Sequence, residues 1–250
     1  MSGHSKWAQI KRQKGAADHK RGQVFTKLGR ELSIAAREGG PDSAGNPRLR
    51  LAIQHARENN MPLENIERAI KKASERSEGA ALEEIVYEGY GPGGAAVMVE
   101  VLTDNRNRAA AEVRNLFTRA GGSLGESGCV AWLFDQRGLV TVELKGKLDQ
   151  DQVALEAIDS GAEDVEVADG TLEVYTDPTN LEKVRQRLEQ LHVPVANYEI
   201  SRMAKTDVQL DEKEALSVLR LLDKLEELDD VQRVYTNVDF SPAVVEKYQG

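Results

Sequence analysis

The chain has 250 residues, of which 40% are hydrophobic and 30% are charged, and its formal net charge at pH 7 is −9. This composition is typical of a soluble globular protein and excludes a disordered chain, while the length allows two or three domains. The single cysteine, Cys129, excludes an internal disulfide framework. No apolar run approaches the roughly 18 residues needed to span a membrane. We therefore expect a cytoplasmic protein with no membrane partner.

The charges are unevenly distributed along the chain. Residues 1–76 contain 16 Lys and Arg against 8 Asp and Glu, whereas residues 77–250 contain 17 against 34, so the net charges are +8 and −17. A basic module joined to an acidic body predicts an oriented encounter with a polyanion, in which the acidic part is held away from the phosphates. The alternative is that the body is acidic for no functional reason.

The first thirty residues are the most basic part of this module, with eight cations and one acid, Asp18. Each Lys or Arg that meets a phosphate releases counterions, so this segment predicts a nucleic-acid contact. Two alternatives stay open: a solvated arm, and a Trp7 that anchors the arm to the helices instead of stacking on a base. The nucleic-acid-binding residues that we predict in the basic module are Lys6, Trp7, Lys11, Arg12, Lys14, Lys20, Arg21, Lys27, Arg30, Arg48 and Arg50.

Three amphipathic helices are predicted in the basic module. Apolar residues recur with helical spacing from Phe25 to Ala35, and Gly39-Gly40-Pro41 ends this first helix. Asn46-Pro47 is typical of a cap followed by the first helical residue, so a second helix begins there. Pro62 opens a third helix with an apolar face. Residues 74–84 are weakly patterned and predict a linker.

After the linker, the apolar residues no longer recur with helical spacing alone, and strands alternate with helices. A strand is predicted at residues 95–102, a helix at 113–120 and a second strand, Cys129–Phe134. From Leu139 the order strand, helix, strand, strand, helix, strand is that of a ferredoxin-like unit, and a helix and a final strand follow it. The predicted fold is multidomain α+β: a basic helical domain (1–76), an α+β domain (85–135 plus 206–250), and a ferredoxin-like α+β domain inserted into it (136–205).

A candidate anion site lies where the first strand of the body gives way to a helix. In the segment Thr103-Asp-Asn-Arg-Asn-Arg108, Asp104 or Asn105 can cap the first helical turn. Free backbone amides together with Arg106 and Arg108 would bind an anion, and we add both arginines to the predicted nucleic-acid-binding residues. In the alternative interpretation, both side chains point into water or pair with acids of the body.

No catalytic or metal site is predicted. The four histidines lack the spacing of metal ligands, no second cysteine is available for zinc, and no nucleophile constellation is present. The Gly-rich segments 87–94 and 121–128 lack the motifs of phosphate-binding loops, so both are predicted to be ordinary loops. We therefore expect no enzyme activity, no cofactor and no small-molecule substrate. The alternative, an enzyme with an unfamiliar site, would use a pocket acid such as Glu126.

A series of short motifs, distributed along nearly the whole chain, closely resembles those of the YebC family. Departures are minor: Ser2 stands where Ala is frequent, and Gln13 and Gln23 stand where cations are common. The motifs that carry the resemblance are Gly3-His-Ser-Lys-Trp7, Lys20-Arg-Gly, Phe25-Thr-Lys-Leu, Ala35-Ala-Arg-Glu-Gly-Gly40, Asn46-Pro-Arg-Leu-Arg-Leu-Ala52, Asn60-Met-Pro, Asn65-Ile-Glu-Arg-Ala-Ile-Lys71, residues 87–94, Leu102-Thr-Asp-Asn-Arg-Asn-Arg108, Ala131-Trp-Leu-Phe-Asp135, Asp229-Asp-Val-Gln and Val234-Tyr-Thr-Asn.

The resemblance implies a three-domain fold, with a helical N-terminal module, an α+β domain and a ferredoxin-like domain inserted into it. It also implies a non-enzymatic role. Members of the family are described as DNA-binding transcriptional regulators and as ribosome-associated translation factors that relieve stalling on proline-rich stretches; a mitochondrial relative activates translation of a respiratory subunit. We therefore predict a nucleic-acid-binding regulator of gene expression that binds DNA. The alternative is a translation factor that contacts ribosomal or transfer RNA on the ribosome.

Overall fold

The computed structural model describes residues 19–74, 82–144, 148–168 and 170–249. Within these ranges the chain forms eight α-helices and two antiparallel four-stranded sheets. The elements in chain order are α1 (His19–Gly39), α2 (Pro47–Glu58), α3 (Leu63–Ser74), β1 (Glu83–Tyr90), β2 (Ala96–Thr103), α4 (Arg106–Arg119), β3 (Ser123–Leu124), β4 (Phe134–Glu143), α5 (Gln150–Ser160), β5 (Ala162–Ala168), β6 (Thr171–Thr176), α6 (Leu181–Gln190), β7 (Val195–Ala204), α7 (Glu212–Glu226), β8 (Val231–Thr236) and α8 (Pro242–Gln249).

The three predicted helices of the basic module are confirmed as α1, α2 and α3. Their apolar faces meet in one core, in which Leu32 and Leu49 are fully buried and Ile66 is nearly so. Helix α1 ends at Gly39, and Gly40 has a φ of +86°, a left-handed conformation that glycine adopts without strain.

Asn46 holds the junction between α1 and α2. Its side-chain oxygen accepts a hydrogen bond from the Leu49 backbone N–H at 3.0 Å, and its amide nitrogen donates to the carbonyl oxygens of Ala35 (2.7 Å) and Gly40 (2.8 Å). The residue is only 3% exposed. One side chain therefore caps α2 and closes the loop that turns the chain back from α1.

We expect Asn46→Ala to lower the free energy of unfolding by about 2 kcal/mol, because it removes a helix cap and leaves buried backbone groups without partners. Urea denaturation measures the change. Asn59→Ala is the matched control: Asn59 follows the last residue of α2, is exposed, and donates only to the His55 carbonyl oxygen. A loss as small in Asn46→Ala as in this control would contradict the role of Asn46.

The second sheet is inserted within the sequence of the first. The strand order of the first sheet is β3-β1-β2-β8, with the core formed against α4, α7 and α8, and that of the second is β5-β6-β4-β7, with α5 and α6 on one face. The second sheet has the strand order of a ferredoxin-like unit. The α+β fold with a ferredoxin-like insertion is therefore confirmed. The domain boundaries stay a prediction: 1–76 for the first domain, 85–135 plus 206–250 for the second and 136–205 for the third.

The interpretation of residues 87–94 as a loop was wrong for its first half. Strand β1 runs through Tyr90, paired antiparallel with β2, and only residues 91–94 form a turn. Gly89 made this strand hard to recognise, yet a glycine is required there. A Cβ atom at Gly89 would lie 2.5 Å from the Ser123 carbonyl oxygen, because β3 pairs closely with β1 at this point.

The predicted strand Cys129–Phe134 was also wrong, because β4 begins only at Phe134. The residues before it form a loop and a short 3₁₀ turn around the buried Glu88. The Glu88 carboxylate accepts backbone hydrogen bonds from Gly128 (2.7 Å), Val130 (2.9 Å) and Ala131 (2.7 Å). These N–H groups bind a carboxylate instead of a neighbouring strand. Residues 75–81 of the predicted linker lie outside the described residues. The C-terminal helix α8 was not predicted from the sequence.

Candidate nucleic-acid interface

The structure describes no side chain for seven of the predicted nucleic-acid-binding residues. Lys6, Trp7, Lys11, Arg12 and Lys14 lie outside the described residues. Lys20 and Arg21 belong to the first turn of α1, but the structure does not describe their side chains. For these seven residues, nucleic-acid binding stays a prediction.

Lys27 and Arg30 on α1 face the second domain. The Lys27 ammonium donates to the Glu226 carbonyl oxygen at 2.6 Å, and the Arg30 guanidinium donates to the Asp229 carbonyl oxygen. Both acceptors lie at or just beyond the C-terminal end of α7, where the helix dipole attracts cations. These two predicted phosphate ligands therefore also join the basic module to the second domain.

Asp230 is the centre of this junction. The residue is only 5% exposed. Its carboxylate pairs with Arg30 at 2.7 Å and with Arg108 at 2.8 Å. It also accepts a hydrogen bond from the Thr103 hydroxyl at 2.7 Å. Burial of Asp230 opposes its ionisation. The hydrogen bonds from Arg108 and Thr103 and the charge of Arg30 outweigh burial, so that the pKa of this carboxyl lies below its ordinary value.

The candidate anion site at the start of α4 is occupied by the protein's own groups. Asn105 caps the helix, accepting the Arg108 backbone N–H at 3.0 Å. The Arg108 side chain pairs with Asp104 at 2.8 Å as well as with Asp230. Arg106 is exposed at the same helix end. Arg108 thus has the arrangement of the alternative interpretation, in which it pairs with acids of the body, and a phosphate would have to displace Asp104 to bind it.

Arg48 and Arg50 on α2 also have protein partners. Arg48 bridges Glu38 of its own module (2.6 Å) and Glu84 at the start of strand β1 (2.8 Å). Partial burial disfavours the charged form of Arg48, but the hydrogen bond and charge of Glu84 raise its pKa above the ordinary value. Arg50 donates to the carbonyl oxygens of Ser43 (3.3 Å) and Ala44 (2.9 Å). Both arginines stabilise the local structure of the module.

A basic cleft lies between α1 and α3. Small residues let the two helices approach each other: the Ser33 hydroxyl donates to the Gly29 carbonyl oxygen (2.8 Å) and to the Ala69 carbonyl oxygen across the helix pair (3.3 Å). The cleft has a volume of about 520 Å³. Its cations are Arg30, Arg37, Arg68 and Lys72, and the acidic residue in its lining is Asp104. Below, "basic cleft" means this site.

Three of the four cations in the basic cleft are available to a ligand. Arg37, Arg68 and Lys72 are exposed, and none of them forms an ion pair with a carboxylate in the part of the chain that the structure describes. These three residues were not predicted from the sequence, although Arg68 and Lys72 have the i, i+4 spacing that places two side chains on one helix face. Arg30 and Arg37 are two helical turns apart on α1. Only the packing of α1 against α3 brings the two pairs together.

A second cavity, of about 410 Å³, lies where all three domains meet. It is not basic, because its arginines are balanced by carboxylates: Arg202 pairs with Glu100 at 2.8 Å, and Arg233 lies 3.3 Å from Glu199. The charged residues of its lining are Arg48, Arg50, Arg202, Arg233, Glu31, Glu84, Glu100 and Glu182. This balance of charge favours a domain junction and not a phosphate site.

The described residues contain no group of three or more His, Cys, Asp or Glu that could hold a metal ion. None of the described helices combines the length and the apolar character needed to cross a bilayer. Cys129 is half-buried in the loop around Glu88, and burial together with the Glu88 charge raises the pKa of its thiol.

Two family models together match almost the entire chain. The model described as the N-terminal domain of the TACO1/YebC protein matches residues 5–76, and the model of the TACO1/YebC second and third domain matches residues 82–238. The chain belongs to the TACO1/YebC family. The sequence-based resemblance is thereby confirmed, and both the basic cleft and the Asp230 junction lie in matched parts of the chain.

Similar proteins of this family carry the name "probable transcriptional regulatory protein". One from Dehalococcoides mccartyi is 58% identical over 248 residues, covering 99% of this chain and 98% of its own length. Another, from Chloroflexus aggregans, is 56% identical over 250 residues, with 99% of each chain covered. The crystal structure of a conserved hypothetical protein from Aquifex aeolicus is similar, with a TM-score of 0.83 and 48% identity, covering 89% of this chain and 91% of that one. The names support a role in regulation and include no enzyme class.

Proposed function

We propose that this protein regulates gene expression, without catalysing a reaction, by binding the phosphate backbone of a nucleic acid through its basic N-terminal module. The observation that carries the proposal is the basic cleft, where four cations converge and three of them have no carboxylate partner in the described chain. Lys and Arg that meet phosphates release counterions, which favours binding independent of sequence. The net charge of −17 on residues 77–250 orients the molecule so that this module faces the polyanion.

DNA is the target that the names of the relatives suggest, since they are called probable transcriptional regulatory proteins. A duplex bound through its phosphates alone would be recognised with little sequence preference, because base edges carry the sequence information. Specific regulation at a promoter would then need a further contact from outside the basic cleft.

The ribosome is the second candidate target, and the geometry of the module favours it. A protein that recognises DNA sequence in the major groove needs an exposed helix whose side chains reach base edges. On α2, Arg48 and Arg50 are held by carboxylates and carbonyl oxygens, and the exposed side of α3 includes the acids Glu64 and Glu67 beside its cations. A concave cleft that binds backbone suits structured RNA, which proteins recognise mainly by shape and phosphate contacts.

A two-part binding experiment tests the proposal and separates the two targets. Purified protein is centrifuged through a sucrose gradient with ribosomes, and in parallel it is titrated with duplex DNA at several salt concentrations. We expect co-sedimentation with ribosomes that is lost at high salt, and weak DNA binding without sequence preference. Tight, sequence-dependent DNA binding with no ribosome association would favour the transcriptional role. Absence of both would refute the proposed function.

A further inference from the structure

The outer edge of strand β5 has no strand beside it in the part of the chain that the structure describes. The strand order of the second sheet is β5-β6-β4-β7, so β5 lies at one end of the sheet and pairs there with β6. Alternate residues of an edge strand direct their backbone N–H and C=O groups away from the sheet. Strand β5 therefore presents a row of hydrogen-bond donors and acceptors to a further strand.

Exposed apolar side chains of helix α5 lie beside this edge. Helix α5 packs on β5, and its Glu156 pairs with Arg187 of α6, which identifies the side of α5 that faces α6. Ile158 lies two positions further along, about 200° round the helix, so it belongs to the opposite side, towards the outer edge of β5. Ile158 is 51% exposed and Leu155, on the outward face of the same helix, is 63% exposed.

Val167 extends the exposed apolar surface onto β5 itself. Its partner in the sheet is Leu172 of β6, a core residue beneath the helices, and directly opposite residues share a face. Val167 is therefore on the face that α5 covers, yet it is 55% exposed because β5 lies at the edge. The outer edge of β5, together with Leu155, Ile158 and Val167, is called the β5 ledge below.

Negative charge surrounds the β5 ledge. Residues 148–182 contain eleven Asp and Glu and no Lys or Arg. Some of these acids pair with arginines of other elements, as Glu163 does with Arg137. Asp151 on α5 and Asp164 on β5 are exposed and form no ion pair within the described chain. The negative charge at the ledge is therefore only partly compensated, and it attracts cations.

We propose that the β5 ledge binds an extended, basic segment of a partner protein, which adds to the second sheet as a further strand beside β5. The main chain of the segment pairs with the edge of β5, which supplies affinity. Successive side chains of a strand point to opposite faces, so the segment that fits alternates β-branched apolar residues with Lys or Arg. Basic arms are typical of proteins that bind nucleic acid, and we assign the partner to this class.

The same charges oppose two other occupants of the open edge. Two copies of this chain joined through β5 would bring Glu163, Asp164 and Glu166 of one strand close to the same acids of the other. A phosphate backbone would be repelled as well. Charges on an edge strand deter pairing in general, and a cationic strand converts this repulsion into attraction.

Binding of a synthetic peptide to the full chain tests the pairing with β5. The probe is a peptide of alternating Lys and Val that has the seven-residue length of β5. The control is the same peptide with a methyl group on every backbone nitrogen, which keeps the charge but removes the hydrogen-bond donors of the main chain. Fluorescence titration measures the affinity, and hydrogen exchange detected by mass spectrometry measures the protection of β5.

We expect the unmodified peptide to bind at least about tenfold more tightly than the methylated one, because only the former can form the main-chain hydrogen bonds. Amide exchange in β5 should become slower when it binds, and added salt should weaken binding. No binding, equal affinity of the two peptides, or protection only outside β5 would overturn the proposal. Peptide binding requires no nucleic acid, so these outcomes are independent of the proposed function.

Two variants of the protein test the side-chain contacts of the β5 ledge. Ile158→Ser should weaken binding of the unmodified peptide roughly fivefold to tenfold, because it removes apolar surface that the peptide buries. Its matched control is Leu63→Ser on α3, where the leucine is 57% exposed far along the chain, and this change should alter the affinity less than about twofold. Equal losses in the two variants would overturn the proposal.

Asp151→Asn with Asp164→Asn should weaken binding of the same peptide roughly threefold to tenfold, because the uncompensated charge at the ledge is removed. Glu112→Gln with Glu126→Gln is the matched control, since both residues are exposed, lie outside residues 148–182 and change the net charge by the same amount. An equal effect of the two double variants would show that the peptide responds to net charge alone, which would overturn the assignment to the β5 ledge.

Discussion

Replacing Arg37, Arg68 and Lys72 together by Ala should lower the affinity for nucleic acid on the order of 10² to 10³-fold at about 50 mM salt. These side chains line the basic cleft, are exposed and have no carboxylate partner in the described chain, so their loss removes phosphate contacts without leaving buried charges behind. Each lost contact with a duplex also reduces the slope of log K against log salt by about 0.9, so the slope should fall by roughly 2.7. Titrations at four salt concentrations measure both quantities.

The control for this variant removes three exposed arginines outside the basic cleft. Arg114 and Arg119 lie on α4 and Arg220 lies on α7. Their replacement by Ala changes the net charge by the same amount, so it reveals any effect of charge alone. We expect the control to change affinity less than about threefold, since distant charges are screened by salt. Equal losses in the two triple variants would show that the basic cleft is not the binding site.

Asp230→Ala should lower the free energy of unfolding by about 1.5–3 kcal/mol, the usual contribution of hydrogen bonds to a charged group, because Arg108 is exposed and keeps Asp104 as a partner. The substitution leaves Arg30 and Arg108 without their shared carboxylate and the Thr103 hydroxyl without its acceptor. It should also loosen the basic module from the second domain. Urea denaturation measures the stability, and limited proteolysis between residues 74 and 84 measures the loosening.

Asp229→Ala is the control, because Asp229 is exposed and offers Arg30 only its backbone carbonyl oxygen. We expect it to change stability by no more than about 0.5 kcal/mol. The contribution of Asp230 also depends on pH. Since its pKa is lowered by folding, the stabilisation is present above the ordinary Asp pKa of about 3.9 and disappears as the pH falls through the lower folded value. The stability difference between the parent and Asp230→Asn should therefore vanish in acid; a constant difference would contradict the ionic role.

The local signals of the chain predicted its helices well because helix ends have their own chemistry. Asn46 with Pro47 marked the start of α2, and Gly39-Gly40 marked the end of α1. The strands were harder to predict from the sequence. Strand β1 contains Gly89, which weakens the strand pattern and is explained only by the close approach of β3. The apolar run before Phe134 resembled a strand, but its backbone N–H groups bind the distant Glu88.

The candidate site was predicted only in outline. Charge counting along the sequence located the basic module, but it could not distinguish the cations that pair with acids from those that remain exposed. Lys27 and Arg30 contact the second domain and Arg48 contacts strand β1, in each case through residues more than thirty positions away in the chain. Arg37 and Arg68, which were not predicted, face the basic cleft.

The sequence by itself determined the charge division between the module and the body, the α+β class and the family, because composition, apolar periodicity and linked motifs are properties of neighbouring residues. Only the tertiary structure decided which cations are available to a phosphate and which of them pair with acids of the protein. The physical reason is that ion pairing depends on distances between residues far apart in the chain. Asp230, whose single carboxylate joins α1 to α4, is the clearest case.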